Sequence, residues 1–234
     1  MGAGGVSGNL PDIETFAQWA TVSEFESLFW KGSDGLVTSG GVFNSQHPPR
    51  PWNKLTNEFL PLLILAKHET GRRDLWDTQI LLRANPTNEH TDGFEFDAEY
   101  CLRSFQPSYS SPDRSGYIEI VRGIGQEFSL QNKTSDKEQS LGNYRPQEGR
   151  DSDFGVDRMK VEILSAVQSK LRKENYHPST ILLVWLRHEW NLRYSKTAIL
   201  EIKNELVEIC AGKFAGMCVV GIAPGVNWIV GAGL

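Results

Sequence analysis

Hydrophobic residues recur at helical spacing over residues 11–30, where Ile13, Phe16, Trp19 and Ala20 precede Phe25, Leu28, Phe29 and Trp30. Loops rich in Gly, Ser and Pro follow, "KGSDGLVTSGG" and "NSQHPPRPWN". A second apolar helix is expected from Leu55 to Glu69, stopping at Gly71, and "RRDLWDTQILLRANP" suits either a short helix or a strand. "FEFDAEYCLRSF" then alternates strictly. Phe94, Phe96, Ala98 and Tyr100 take one face of a strand, and Glu95, Asp97 and Glu99 the other. After the loop "QPSYSSPDRSG" the chain returns as the strand "YIEIVRG".

Residues 131–155 are polar, poor in apolar anchors and expected to be mobile. An amphipathic helix runs from Val156 to Lys173, and "TILLVWL" reads as a strand buried on both faces. "SKTAILEIKNELVEICAGK" is a further amphipathic helix ending near Gly212, and "GMCVVGIAP" and "NWIVGAG" are two strands joined by "APGVN". Hairpin strands followed by strand–helix–strand units predict an α/β fold, a mixed central sheet flanked by helices. Residues 1–50 read as a helical extension with loops packing on the core, and 51–234 as the α/β domain.

Composition adds little to this and excludes some classes. The 234 residues are 39% hydrophobic and 23% charged, enough for one substantial core. Lys plus Arg number 24 against 29 for Asp plus Glu, a net charge of −5 that counts against a general polyanion binder while leaving room for a local basic face. Cys101, Cys210 and Cys218 are unequally spaced without a CxxC pair, so neither a disulfide framework nor a zinc spacing is present. The N-terminus lacks the basic and apolar regions of a signal peptide, and Pro224, Asn227 and several glycines break the apolar C-terminal run. A cytoplasmic protein without a membrane partner is expected.

The chemistry of interest centres on Glu119 within "YIEIVRG". A carboxylate in mid-strand either faces water or is held for a purpose, because burying it uncompensated is costly. Asp97 lies on the expected partner strand. Two neighbouring carboxylates raise each other's pKa unless a cation sits between them, and oxygen ligands of this kind suit Mg²⁺. The helix after them carries Val156, Met159, Ile163, Val167 and Leu171 on one stripe, together with Lys160 and Lys170. Those lysines either snorkel to a rim or point their ammonium groups at the carboxylates. His68–Glu69 and His188–Glu189 do not extend to HExxH. Arg145, Arg150, Arg158, Lys170, Arg172 and Lys173 are either a phosphate rim or a solvated face.

An aspartate on one hairpin strand, a glutamate on the next, an amphipathic helix and then a buried strand resembles the PD-(D/E)XK nuclease superfamily, the restriction-endonuclease-like fold. The resemblance spans roughly residues 54–222 in element order. It implies that Asp97 is the strand aspartate and Glu119 the acidic member of the "(D/E)xK" element, together holding Mg²⁺ or Mn²⁺. It further implies that Glu69, or less well Glu58, is the acidic helix residue. The lysine expected two positions after the glutamate is Val121 here. Some members carry that lysine on the following helix, which Lys170 or Lys160 would suit. The implied activity is metal-dependent phosphodiester cleavage of DNA, or less well RNA, compatible with a homodimer. The alternative is a catalytically inactive nuclease-like fold serving as a binding or regulatory module.

Overall fold

The computed structural model describes residues 13–38, 54–71, 77–85, 94–105, 114–122, 152–173, 175–186, 196–221 and 228–231. Most of the expected mobile stretch 131–155, the arginines at 145 and 150, and the His188–Glu189 pair lie outside these residues. The class is α/β with a mixed sheet. The chain divides into two compact units, one formed by residues 1–120, 179–181 and 234, the other by 121–178 and 182–233.

The first unit opens with a short 3-10 turn, Ile13–Ala17, and a two-residue strand β1, Ala20–Thr21. Helix α1, Val22–Thr38, starts on a capping box: Thr21 N–H and Oγ1 both donate to Glu24 Oε2 at 2.8 Å, and Glu24 N–H returns to Thr21 Oγ1. The helix continues through "KGSDGLVT", a stretch whose glycines predict a loop, so the capped, packed helix overrides local propensity there. A π-helical turn, Leu55–Phe59, leads into α2, Leu60–Thr70. Pro61 falls directly after that turn, at the start of α2. Phe16, Phe25 and Phe59 pack with ring centroids 4.4–6.1 Å apart, and with Leu55, Leu62, Leu65, Ile80, Leu82 and Ile118 they form this unit's core.

The ambiguous "TQILLRA" is a strand, β2, Thr78–Ala84. It lies between β1 and β3, Ala98–Ser104, and β3 pairs with β4, Arg114–Arg122, all antiparallel. Tertiary pairing settles what a short apolar run leaves undecided. Ile80, Leu82 and Ala84 on β2, Ala98, Tyr100 and Leu102 on β3, and Gly116, Ile118 and Ile120 on β4 are all buried on one face. The 3-10 turn, α1 and α2 all pack against β2. Residues of the opposite face remain partly accessible, apart from Glu119 and Val121 near the end of β4.

In the second unit α3, Ser152–Leu171, begins four residues before the expected Val156. β5, Thr180–Leu186, is buried from Thr180 to Trp185, matching the continuous apolar run. α4, Lys196–Cys210, gives way to a left-handed Gly212 with φ +75°, the conformation that ends many helices on glycine. β6, Gly216–Gly221, pairs antiparallel with β7, Trp228–Gly231, as the C-terminal hairpin predicts. Val121, Ile163, Val167, Leu182, Val184, Ile202, Leu206, Met217 and Val219 make this unit's core. Among the described residues no helix is long and apolar enough to cross a membrane.

Two positions test this packing. A Cβ on Gly116 would lie 2.6 Å from Tyr100 Oη and 2.7 Å from the Ser179 carbonyl oxygen, so the tyrosine covers its cross-strand glycine with no room for a methyl group. Gly116→Ala is expected to destabilise by about 1–3 kcal/mol in urea titration. Trimming the tyrosine hydroxyl with Tyr100→Phe should recover only part of this, because the backbone oxygen stays. In the second core, burial pushes the Cys210 thiol up to about 11, with its sulfur 3.6 Å from Met217 Sδ. At pH 8 only about one thiol in a thousand would be thiolate, so Ellman's reagent should label Cys210 only after unfolding.

Candidate functional site

The β3–β4 register determines what can meet. Ala98 faces Ile118 and Glu99 faces Tyr117, and the ladder ends there: Asp97 is a bend just before β3 whose N–H goes to the carbonyl of the same Ile118. Two hydrogen bonds hold Asp97 on either side of Glu119. Its N–H donates to the Ile118 carbonyl at 2.9 Å, and its Oδ2 accepts from Ile120 N–H at 2.7 Å. The carboxylate thus takes the place of a strand carbonyl and lies against the peptide unit that follows Glu119. Phe96 O, the carbonyl just before it, accepts instead from Asn85 Nδ2 at 3.2 Å, while Asn85 N–H donates to Asp97 O at 2.8 Å. Asp97 is anchored where the ends of β2 and β4 meet the start of β3.

Glu119 is 3% exposed. The wet-face alternative for this residue is therefore excluded, while Asp97 is half-buried. Glu69, in the last turn of α2, is fully buried, with Oε1 3.3 Å from His68 Nδ1. Glu58 pairs with the buried Lys54 at 2.7 Å. Asp97, Glu119, Glu69 and Glu58 all belong to the first unit, and Asp97 is hydrogen-bonded to the residues on either side of Glu119.

Lys160 and Lys170 belong to the second unit, half-buried on α3. Lys160 Nζ forms an ion pair with Glu205 Oε1 of α4 at 2.5 Å. Arg172 and Lys173 are exposed just beyond α3. Val121, where the resemblance places its lysine, lies in the second unit's apolar core.

A second row of side chains crosses the same face one step along the strands. Arg83 faces Glu99, and Glu99 faces Tyr117. Extending the β1–β2 register by one residue sets Trp19 opposite Arg83. Arg83 grips Glu99 with two parallel hydrogen bonds, Nε to Oε1 and Nη2 to Oε2, each 2.9 Å. Its guanidinium carbon sits 4.9 Å from the centroid of the Trp19 ring. Glu99 is thus an ion-pair partner. Asn85, Arg83 and Trp19 escape sequence reasoning because the strand character of "TQILLRAN" is ambiguous. With the strand known, its alternation places Gln79, Leu81, Arg83 and Asn85 on the face that carries Glu99 and Asp97.

Among the described residues no group of three or more His, Cys, Asp or Glu side chains gathers closely enough to hold a metal ion. Asp97 and Glu119 would offer two carboxylates, a number with which Mg²⁺ is often bound when waters and phosphate oxygens complete its shell. Comparison of the chain with protein-family models, with curated proteins and with solved structures finds no match.

The Asp97 hydrogen bond to Ile120 has its own consequence for stability. Asp97→Ala should cost about 1–2 kcal/mol by leaving that N–H without its acceptor. Asp97→Asn, which keeps an oxygen at the same place, should cost much less. Urea midpoints of the two variants provide the comparison.

Proposed function

We propose that this protein is a divalent-metal-dependent phosphodiesterase of the restriction-endonuclease-like type, acting on DNA in preference to RNA. The observation that carries this reading is the clamp on Asp97, which is hydrogen-bonded to both peptide neighbours of the buried Glu119. Asp97 and Glu119 would hold Mg²⁺ or Mn²⁺, with Glu69 in support. When bound, the ion would polarise the phosphodiester and acidify a water. The clamp on Asp97 keeps one carboxylate oriented before substrate arrives, so little reorganisation is required during the reaction.

A second reading is favoured by one specific observation. Val121 sits among Ile163, Val167 and Leu182, so the motif's lysine position is given over to packing. A nuclease-like fold without catalysis, used as a binding or regulatory module, accommodates that packing directly.

Plasmid cleavage with Mg²⁺ or Mn²⁺ tests the first reading. Asp97→Asn and Glu119→Gln are each expected to lower the rate about a hundredfold or more, the scale for losing one preorganised electrostatic group, without changing the thermal melt. Unchanged cleavage in both variants overturns the assignment. Saturable Mn²⁺ binding by calorimetry that survives without any cleavage selects the second reading.

A further inference from the structure

We propose that Asn85 positions the Asp97 carboxylate, holding the backbone on both sides of it so that its oxygens are aimed in one direction. This rests on the phosphodiesterase reading and adds a positioning residue to the same site. Asn85 directly follows β2 and is half-buried.

Asp97 requires such a hold because it stands outside the ladders. β2 and β3 pair as far as Ala84 and Ala98, β3 and β4 as far as Ala98 and Ile118, and Asp97 is the bend before them. Within a ladder the pairing of neighbouring residues sets each residue's direction. At a bend, individual hydrogen bonds must do so.

Three such bonds fix the two peptide units that flank the Asp97 Cα. The unit before it is held at both ends: Phe96 O accepts from Asn85 Nδ2 at 3.2 Å, and Asp97 N–H donates to Ile118 O at 2.9 Å. The unit after it is held at its oxygen, where Asp97 O accepts from Asn85 N–H at 2.8 Å. Peptide units are planar, so fixing both leaves Asp97 little freedom in φ and ψ and sets where its Cβ points. Its Oδ2 then reaches Ile120 N–H at 2.7 Å.

Asn85 supplies two of these three bonds, one from its backbone and one from its side chain. Any residue except proline offers the backbone donor. Only the second depends on the residue's identity. An amide nitrogen donates there, whereas an aspartate oxygen would meet Phe96 O as a second acceptor. Residues that orient a metal's ligands from behind typically change affinity or activity by about ten- to a hundredfold when replaced.

Two measurements on the full chain test this, one of them independent of metal. In amide hydrogen exchange followed by NMR, Asn85→Ala should speed exchange of the Ile120 amide about tenfold, the scale for one slackened hydrogen bond. Ile80 in β2 and Leu102 in β3 should keep their rates. In plasmid cleavage with Mn²⁺ the same variant should lower kcat about tenfold or more with KM for DNA held, and calorimetry should show Mn²⁺ binding weakened to a similar degree. A residue that merely stabilised the fold would raise exchange at all three amides together and leave kcat of the folded protein unchanged. Should Asn85→Ala fail to fold, Asn85→Asp, which keeps the shape and removes the donor, takes its place. Unchanged exchange at Ile120, or a uniform rise, overturns the inference. Normal Mn²⁺ binding and cleavage in a folded Asn85 variant, where Asp97→Asn abolishes both, also overturns it and leaves the phosphodiesterase reading standing. If the unaltered chain neither binds Mn²⁺ nor cleaves DNA, that reading fails, and exchange at Ile120 alone decides whether Asn85 holds Asp97.

Discussion

A slip of one residue between β3 and β4 would turn Glu119 onto the face occupied by Ile118 and Ile120, because side chains alternate along a strand. Everything at the candidate site depends on that slip being prevented. Two features oppose it. The apolar face of the hairpin, Ala98, Tyr100 and Leu102 with Ile118 and Ile120, is buried, so a shifted pairing would expose it and bury Glu99 and Arg103. Gly116 accepts the ring of Tyr100 in only one alignment, since any residue with a Cβ at that place would collide with it.

Asp97 reinforces the same alignment from the end of the hairpin. Its carboxylate substitutes for a carbonyl on Ile120 N–H, which frees Phe96 O for Asn85 and binds the end of β2 into the arrangement. A charged acceptor on a backbone N–H is stronger than a neutral one. The aspartate therefore has a structural task whatever chemistry it also performs. The neighbouring row, from Trp19 through the Arg83–Glu99 fork to Tyr117, runs across all four strands of this unit and depends on the same register.

The readable parts of the fold are those with long, unmixed patterns. The alternation of β3 from Ala98 onward, the continuous run of β5, and the amphipathic helix ending before Gly212 are each determined by period and punctuation, whereas the alternation expected from Phe94 breaks at the Asp97 bend. Where patterns conflict, reading fails for identifiable reasons. "TQILLRA" carries adjacent leucines that satisfy either period, and only its pairing between β1 and β3 makes it a strand. "KGSDGLVT" has a loop's composition, yet it continues a helix already nucleated at the Thr21–Glu24 box.

For the candidate site the division is similar. Residue order offers Asp97 from the strand expected beside Glu119, without fixing which residues face each other. The burial of Glu119, the backbone clamp on Asp97 and the partnership of Arg83 with Glu99 and Trp19 came only from the tertiary structure. Periodicity states which face a side chain takes. It does not state what covers that face or which strand lies alongside, since those depend on contacts between segments distant in the chain. Lys160 shows the same limit: its place on the helix stripe was legible, but its ion pair with Glu205 required the packing of two helices that the sequence separates.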